Sequence, residues 1–284
     1  MNHLISEHDQ KILARYSAMI ASHVAASKAA GHDRQTVEEY RAMMLSINPY
    51  KYPKNYKSAP VAAFHPKMEL RPGLTAAVAV PNGKGPFPVI VHAHGHGLRA
   101  GSPPEYEPWM RVMASYGFVV MFPDYRWQPE ASFLDQVDDM TYAVDWVRKN
   151  APKVNGNAEK LLLGGDSAGA NLTWAVLLNS LKDPNGPRFA AVEIVDGAVF
   201  PQDGRDFFAE IKPTTPLPPI VWTVGSADQA LPPAVLALDA MRKAGKDLEM
   251  HIYYGMPHDF MKFPELEIMH KGNDEAMKWL LRAV

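Results

Sequence analysis

The chain has no cysteine among its 284 residues. That excludes disulfide staples, a thiol nucleophile and cysteine-ligated zinc, and it fits a reducing compartment. Long apolar runs are missing as well: no stretch approaches the roughly 18 apolar residues that a membrane-spanning helix requires. Near the start, His3, Glu7, His8 and Asp9 stand where a secretory leader would have a continuous apolar core, so a cytoplasmic location is the expectation. Nor does charge of one sign dominate. With 29 basic and 31 acidic residues the net charge is −2, which argues against nucleic acid or an anionic membrane as a partner. The one local exception is Tyr50 to Lys57, where basic and aromatic residues interleave. With Pro53 and no helical period, it reads as a surface linker and not as a groove for a single strand.

What the chain does have is apolar content. At 47% hydrophobic it can bury a core as one large domain, or as a domain with a cap. Leu13, Tyr16, Ile20 and Val24 recur at helical steps between Ser6 and Ala30, and Gly31 stops that helix. Thr36 with Glu39 forms a capping-box start for a second helix, Val37 to Ile47. Both helices precede the strand-like sequence, so residues 1–60 are expected to form a helical cap and linker over a core of residues 61–284. In the core, β-rich runs alternate with helical ones. The strand candidates are Thr75–Val80, Pro88–Ala93, Phe118–Phe122, Leu161–Gly164, Val192–Val199, Ile220–Val224 and Met250–Tyr254. The helix candidates are Glu105–Ser115, Phe133–Lys149, Ala168–Leu181, Pro232–Lys246 and Leu266–Ala283. Strands apolar at every position, such as Phe118–Phe122, suit a parallel sheet covered on both faces. The alternation predicts an α/β doubly wound sheet with its chemistry at the carboxyl ends of the strands.

The stretch Gly165-Asp166-Ser167-Ala168-Gly169 follows one of these strands and opens a helix, which is the setting of a strained serine turn. A serine hydroxyl needs a base to take its proton and a carboxylate to orient that base. His258 lies in a Gly- and Pro-bearing loop after the last strand, downstream of the serine. Asp228 follows the strand Ile220–Val224 and completes the chain order Ser, Asp, His, while Asp196, before the end of its own strand candidate, competes for the same role. Backbone amides in the loop Gly95, His96, Gly97, together with Ala168 at the helix start, are candidates for an oxyanion hole. The same loop suggests a rival chemistry, because on an extended strand His92, His94 and His96 would share a face and could hold zinc. That reading leaves the serine, aspartate and second histidine unexplained. Trp109, Trp127 and Trp222 read as core or rim packing in preference to an aromatic substrate cage.

Four motifs, in order, resemble those of the hormone-sensitive-lipase-like branch of the α/β-hydrolase superfamily, the bacterial family IV esterases. His94-Gly95-His96-Gly97 stands for HGGG and Asp124-Tyr125-Arg126-Trp127-Gln128-Pro129-Glu130 for DYRLAPE. Gly165 to Gly169 matches GDSAG, and Gly255-Met256-Pro257-His258 matches GMPH. The resemblance implies a mostly parallel eight-stranded α/β-hydrolase sheet with helices on both faces and a small N-terminal helical cap. It also implies cofactor-free hydrolysis of carboxylic esters by Ser167, His258 and Asp228. Small to medium acyl esters or lactones are the expected substrates, and an exposed edge strand near the carboxyl end would permit a homodimer. A dehydratase or lyase, or a ligand-binding protein on the same scaffold, is the alternative, followed by a metal-dependent hydrolase using His92, His94 and His96. Three departures from the family pattern stand out. His96 replaces a glycine, so its ring is expected near the substrate. Asp259 follows the base, where its charge would raise the pKa of His258. The lid segment at about residues 200–218 is short and rich in proline and charge, leaving the N-terminal helices to roof the site.

Overall fold

The structure is a computed structural model that describes residues 5–32, 35–51 and 56–284. Residues 52–55, the middle of the linker read from the sequence, lie outside the described residues. An eight-stranded sheet has the order β1-β2-β4-β3-β5-β6-β7-β8. Its strands are β1 (Ala63–Arg71), β2 (Leu74–Val80), β3 (Phe87–Ala93), β4 (Val119–Pro123), β5 (Gly156–Asp166), β6 (Val192–Val195), β7 (Ile220–Gly225) and β8 (Glu249–Tyr253). β2 is antiparallel to both β1 and β4, and every other pairing is parallel.

Alternation along the strands sorts the core into two layers, because successive side chains leave opposite faces of a sheet. Val89, Val91, Val119 and Met121 pack on one side with residues of α4 (Phe133–Asn150), α5 (Gly169–Lys182) and α6 (Leu231–Lys243). Ile90, Val120 and Phe122 pack on the other with α3 (Glu107–Ser115), α7 (Glu267–Leu281) and the first helix. Each fully buried side chain of this size contributes about 1.5–3 kcal/mol of transfer free energy. Trp109 and Trp222 are wholly buried in these layers. Trp127 packs against the edge of the core with the Arg41 guanidinium 5.3 Å above its ring.

The first helix, α1 (Glu7–Ala29), starts where the Ser6 hydroxyl accepts from the Asp9 amide, and Gly31 follows its end with φ 86°. It docks through Ile12, Leu13 and Tyr16, with Tyr16 edge-on to Phe263 at 4.7 Å between ring centroids. In α2 (Val37–Lys51) the capping box is reciprocal: the Thr36 amide donates to Glu39 Oε2 at 2.8 Å and the Glu39 amide to Thr36 Oγ1 at 3.2 Å. Arg41 then ties α2 to the loop after β4 through two hydrogen bonds to Glu130, at 2.9 and 2.8 Å.

Two strands depart from the sequence reading. β1 escapes it because this edge strand is largely solvated, carries Pro66, and changes register between His65 and Met68 and again between Glu69 and Arg71. Proline and irregular pairing are tolerated at a sheet edge, and they erase the period-2 signal. β6 ends at Val195, short of the expected Val199, because Asp196 turns into the left-handed region with φ 48°. Residues 200–219 form no helix. Phe207 nevertheless enters the core, and Phe208 lies edge-on to Trp174 at 5.1 Å.

Candidate active site

β5 stops at Asp166 and α5 starts at Gly169, so the chain reverses within two residues. Ser167 absorbs that reversal at φ 50°, a left-handed conformation costing about 1–2 kcal/mol for a residue with a Cβ. Its amide donates to Val195 O at 2.9 Å, which fixes the turn against β6. The flanking glycines have a different task from the one the motif suggests. A Cβ on Gly165 would lie 2.2 Å from Thr173 Oγ1, and one on Gly169 would lie 2.0 Å from Ala93 O. Close approach of α5 to β3 and β5 therefore demands glycine, while the strain sits on the serine.

Three loops meet at this point. Ser167 Oγ lies 2.8 Å from His258 Nε2, and His258 Nδ1 is 2.9 Å from each oxygen of Asp228. The Asp228 side chain is wholly buried and is oriented by the Ala230 amide, which donates to Oδ1 at 2.8 Å. In the neutral ring, with the Nδ1 proton held by the carboxylate, Nε2 is the acceptor that faces the serine hydroxyl. Burial works against the imidazolium, but the charge of Asp259, the hydrogen bond and charge of Asp228, and the charge of Asp196 outweigh it and carry the pKa of His258 up to about 9. Asp196, the competing acid, is buried beside Asp228, not against the His258 ring nitrogen. Burial, and then the charge of Asp228, push its pKa well above the carboxylate range although His258 opposes. Asp196 thus stands behind the His258–Asp228 pair as a carboxyl that holds its proton more tightly than an exposed one.

The loop of residues 94–98 runs beside the serine. His96, Gly97 and Leu98 all have left-handed φ, at 67°, 64° and 63°. Tyr125, from the Asp124–Glu130 motif, anchors this loop by donating its hydroxyl to His94 O at 2.5 Å. Gly95 is removed from the oxyanion candidates. Its amide donates to Asp166 Oδ2 at 2.9 Å, so it holds the loop in place and is not available to a substrate. His96 and Gly97 line the cavity at Ser167. Ala168 stands at the head of α5, where the first amides of a helix have no intrahelical acceptor.

The histidine triplet does not form a metal cradle. His92 stacks on Phe122 at 4.5 Å and pairs through Nε2 with Asp166 Oδ1 at 3.1 Å, whereas His94 stacks on Tyr125 at 4.2 Å. Burial lowers the pKa of both rings, that of His94 to about 4. Among the described residues, no three histidine, aspartate or glutamate side chains are arranged to ligate a metal.

A cavity of about 810 Å³ opens over Ser167 and His258. Its walls are mostly apolar and come from α1 (Tyr16, Ile20, Val24) and α2 (Tyr40, Met43, Met44), with His96 and Asp259 at its floor. Asp259 Oδ1 is 3.9 Å from His258 Nε2 and 2.5 Å from Lys262 Nζ. Sequence reasoning passed over Lys262, although its spacing from Asp259, one helical turn later, is the signal that would have found it.

The chain matches a family of α/β-hydrolase fold over residues 90–199. Over 102 residues, 36% of this chain and 32% of the relative, it is 35% identical to carboxylesterase NlhH of Mycobacterium tuberculosis. Over 93 residues it is 33% identical to the hormone-sensitive lipase of Bos taurus, covering 32% of this chain and 12% of that protein. The matched segment therefore spans a third or less of these relatives' lengths. A solved Pyrobaculum calidifontis esterase superposes with a TM-score of 0.73 at 22% identity, over 88% of this chain and 92% of the other. At that identity the superposition establishes the shared fold.

Proposed function

We propose that this chain, which has the α/β-hydrolase fold and resembles the hormone-sensitive-lipase-like esterases, is a serine hydrolase of carboxylic esters acting through an acyl-enzyme. One observation carries the reading: the contiguous line from Ser167 Oγ to His258 Nε2 at 2.8 Å and from His258 Nδ1 to Asp228 at 2.9 Å. Ser167 attacks the ester carbonyl while His258 takes its proton, and Asp228 holds the imidazolium that forms. The amides of His96, Gly97 and Ala168 receive the oxyanion. His258 returns the proton to the leaving alcohol and then draws one from the water that clears the acyl group.

The apolar walls contributed by α1 and α2 fit small to medium acyl esters or lactones, with these two helices acting as the cap. No cofactor enters this scheme. A Ser167→Ala variant tests it: hydrolysis of a short-chain ester followed by pH-stat titration should fall by about a thousandfold or more with unchanged circular dichroism. Turnover at the wild-type rate would refute the mechanism.

A further inference from the structure

Lys262 sits on a short 3-10 turn after the base loop, with its side chain wholly out of solvent. A buried ammonium is costly unless it is paired and hydrogen-bonded. Its partners come from two separate loops: Nζ lies 2.5 Å from Asp166 Oδ2 and 2.5 Å from Asp259 Oδ1, with the rings of Tyr106 and Trp109 at 5.4 and 5.7 Å. Asp166 precedes the nucleophile, and its same Oδ2 accepts the Gly95 amide of the oxyanion loop. Asp259 follows the base, in a left-handed conformation at φ 68°. One cation between two carboxylates leaves a single negative charge in excess; on the Asp166 side the ring at 3.1 Å is His92, whose pKa burial lowers, and on the Asp259 side the basic group is His258, at 3.9 Å.

We propose that Lys262 is a positioning residue: it clamps the base loop to the oxyanion loop and, by holding Asp259 beside His258, sets the pH at which the base becomes available. The proposal rests on the reading of Ser167 and His258 as nucleophile and base. Other groups also face His258: Asp228 after β7, Asp196 at the end of β6, and Ser167 at the end of β5. Across the cavity stand Tyr16 of α1, Tyr40 of α2 and His96. Burial, and next the charge of Asp259, raise Tyr16 and Tyr40, so both phenols stay neutral while His258 titrates. Asp228 keeps its hydrogen bonds to His258 and to the Ala230 amide in each variant, whereas Asp196 also feels the charge of Asp259, so the Asp259→Asn midpoint is read together with those of the Lys262 variants.

The test is an NMR titration of the His258 imidazole without substrate, alongside the pH dependence of kcat/KM. Asp259→Asn leaves Lys262 paired with Asp166, and it should lower the His258 midpoint by about one pH unit or more. Lys262→Met should raise the midpoint and reduce kcat by about tenfold, since Asp166 loses a partner while holding Gly95. Lys262→Arg should restore part of both. In the Asp259→Asn background, Lys262→Met should move the midpoint far less than it does alone. Should Lys262→Met fail to fold, Asp259→Asn and Lys262→Arg still decide the matter. A His258 midpoint in Asp259→Asn within about 0.2 units of wild type overturns the proposal, because the expected single-charge effect is at least several times larger. Failure of an organophosphonate to label Ser167 would instead refute the hydrolase reading, while the NMR midpoints would still judge the clamp.

Discussion

With its pKa carried up to about 9, His258, the proposed base, is mostly occupied by a proton at neutrality, and this sets a steep pH dependence. At pH 7 about one molecule in a hundred carries neutral His258, against about three in four for an unperturbed histidine near 6.5. If the free base is required for attack, kcat/KM rises about tenfold per pH unit through neutrality and is about 50-fold higher at pH 9 than at pH 7. An unperturbed histidine would give a ratio of about 1.3. The assay is initial-rate hydrolysis of a short-chain ester in a pH-stat between pH 6 and 10, which avoids a chromophore that itself titrates. Stability carries the same signature with a defined sign. The folded-state pKa is raised, so this contribution is complete below about pH 6.5 and is lost as the pH climbs through about 9. Tm should therefore decline across the window in which activity rises. A pH 9 to pH 7 ratio of kcat/KM below about two would refute the charge arrangement around His258.

Two further outcomes follow from the packing. Gly169→Ala places a Cβ 2.0 Å from a backbone oxygen that cannot rotate away, and it should cost about 3 kcal/mol or more by chemical denaturation. Tyr125→Phe removes the hydroxyl that donates to His94 O; the oxyanion loop should loosen, lowering kcat about tenfold with KM held, as steady-state kinetics would show.

The sequence made most of the fold legible wherever burial is two-sided. β3, β4 and β7 were readable because every one of their residues is apolar or nearly so, and α2 because Thr36 and Glu39 write its start into local chemistry. β1 was not readable, since an edge strand with Pro66 and two register shifts has no periodicity to detect. The end of β6 was missed because the apolar run continues through Ala198 and Val199, although Asp196, followed by Gly197, turns the backbone left-handed at φ 48°. At the site, Ser167, Asp228 and His258 could be named because each occupies a turn just past a strand. Which amides of the 94–97 loop remain available depended on a partner 71 residues away in sequence, Asp166, which accepts from Gly95. Lys262 was only half legible: its spacing from Asp259 hints at one partner, but a lone lysine after a loop reads as solvated, and the fold is needed to show Asp166 and two aromatic rings completing its enclosure.

The central claim is that Ser167 is an activated nucleophile served by His258. Intact-protein mass spectrometry after treatment with an alkyl organophosphonate, followed by peptide mapping, tests it most directly. One covalent adduct per chain on Ser167, formed faster as the pH rises toward about 9 and absent from His258→Ala, is the predicted result. An unlabelled Ser167, or labelling at the same rate without His258, would contradict the account.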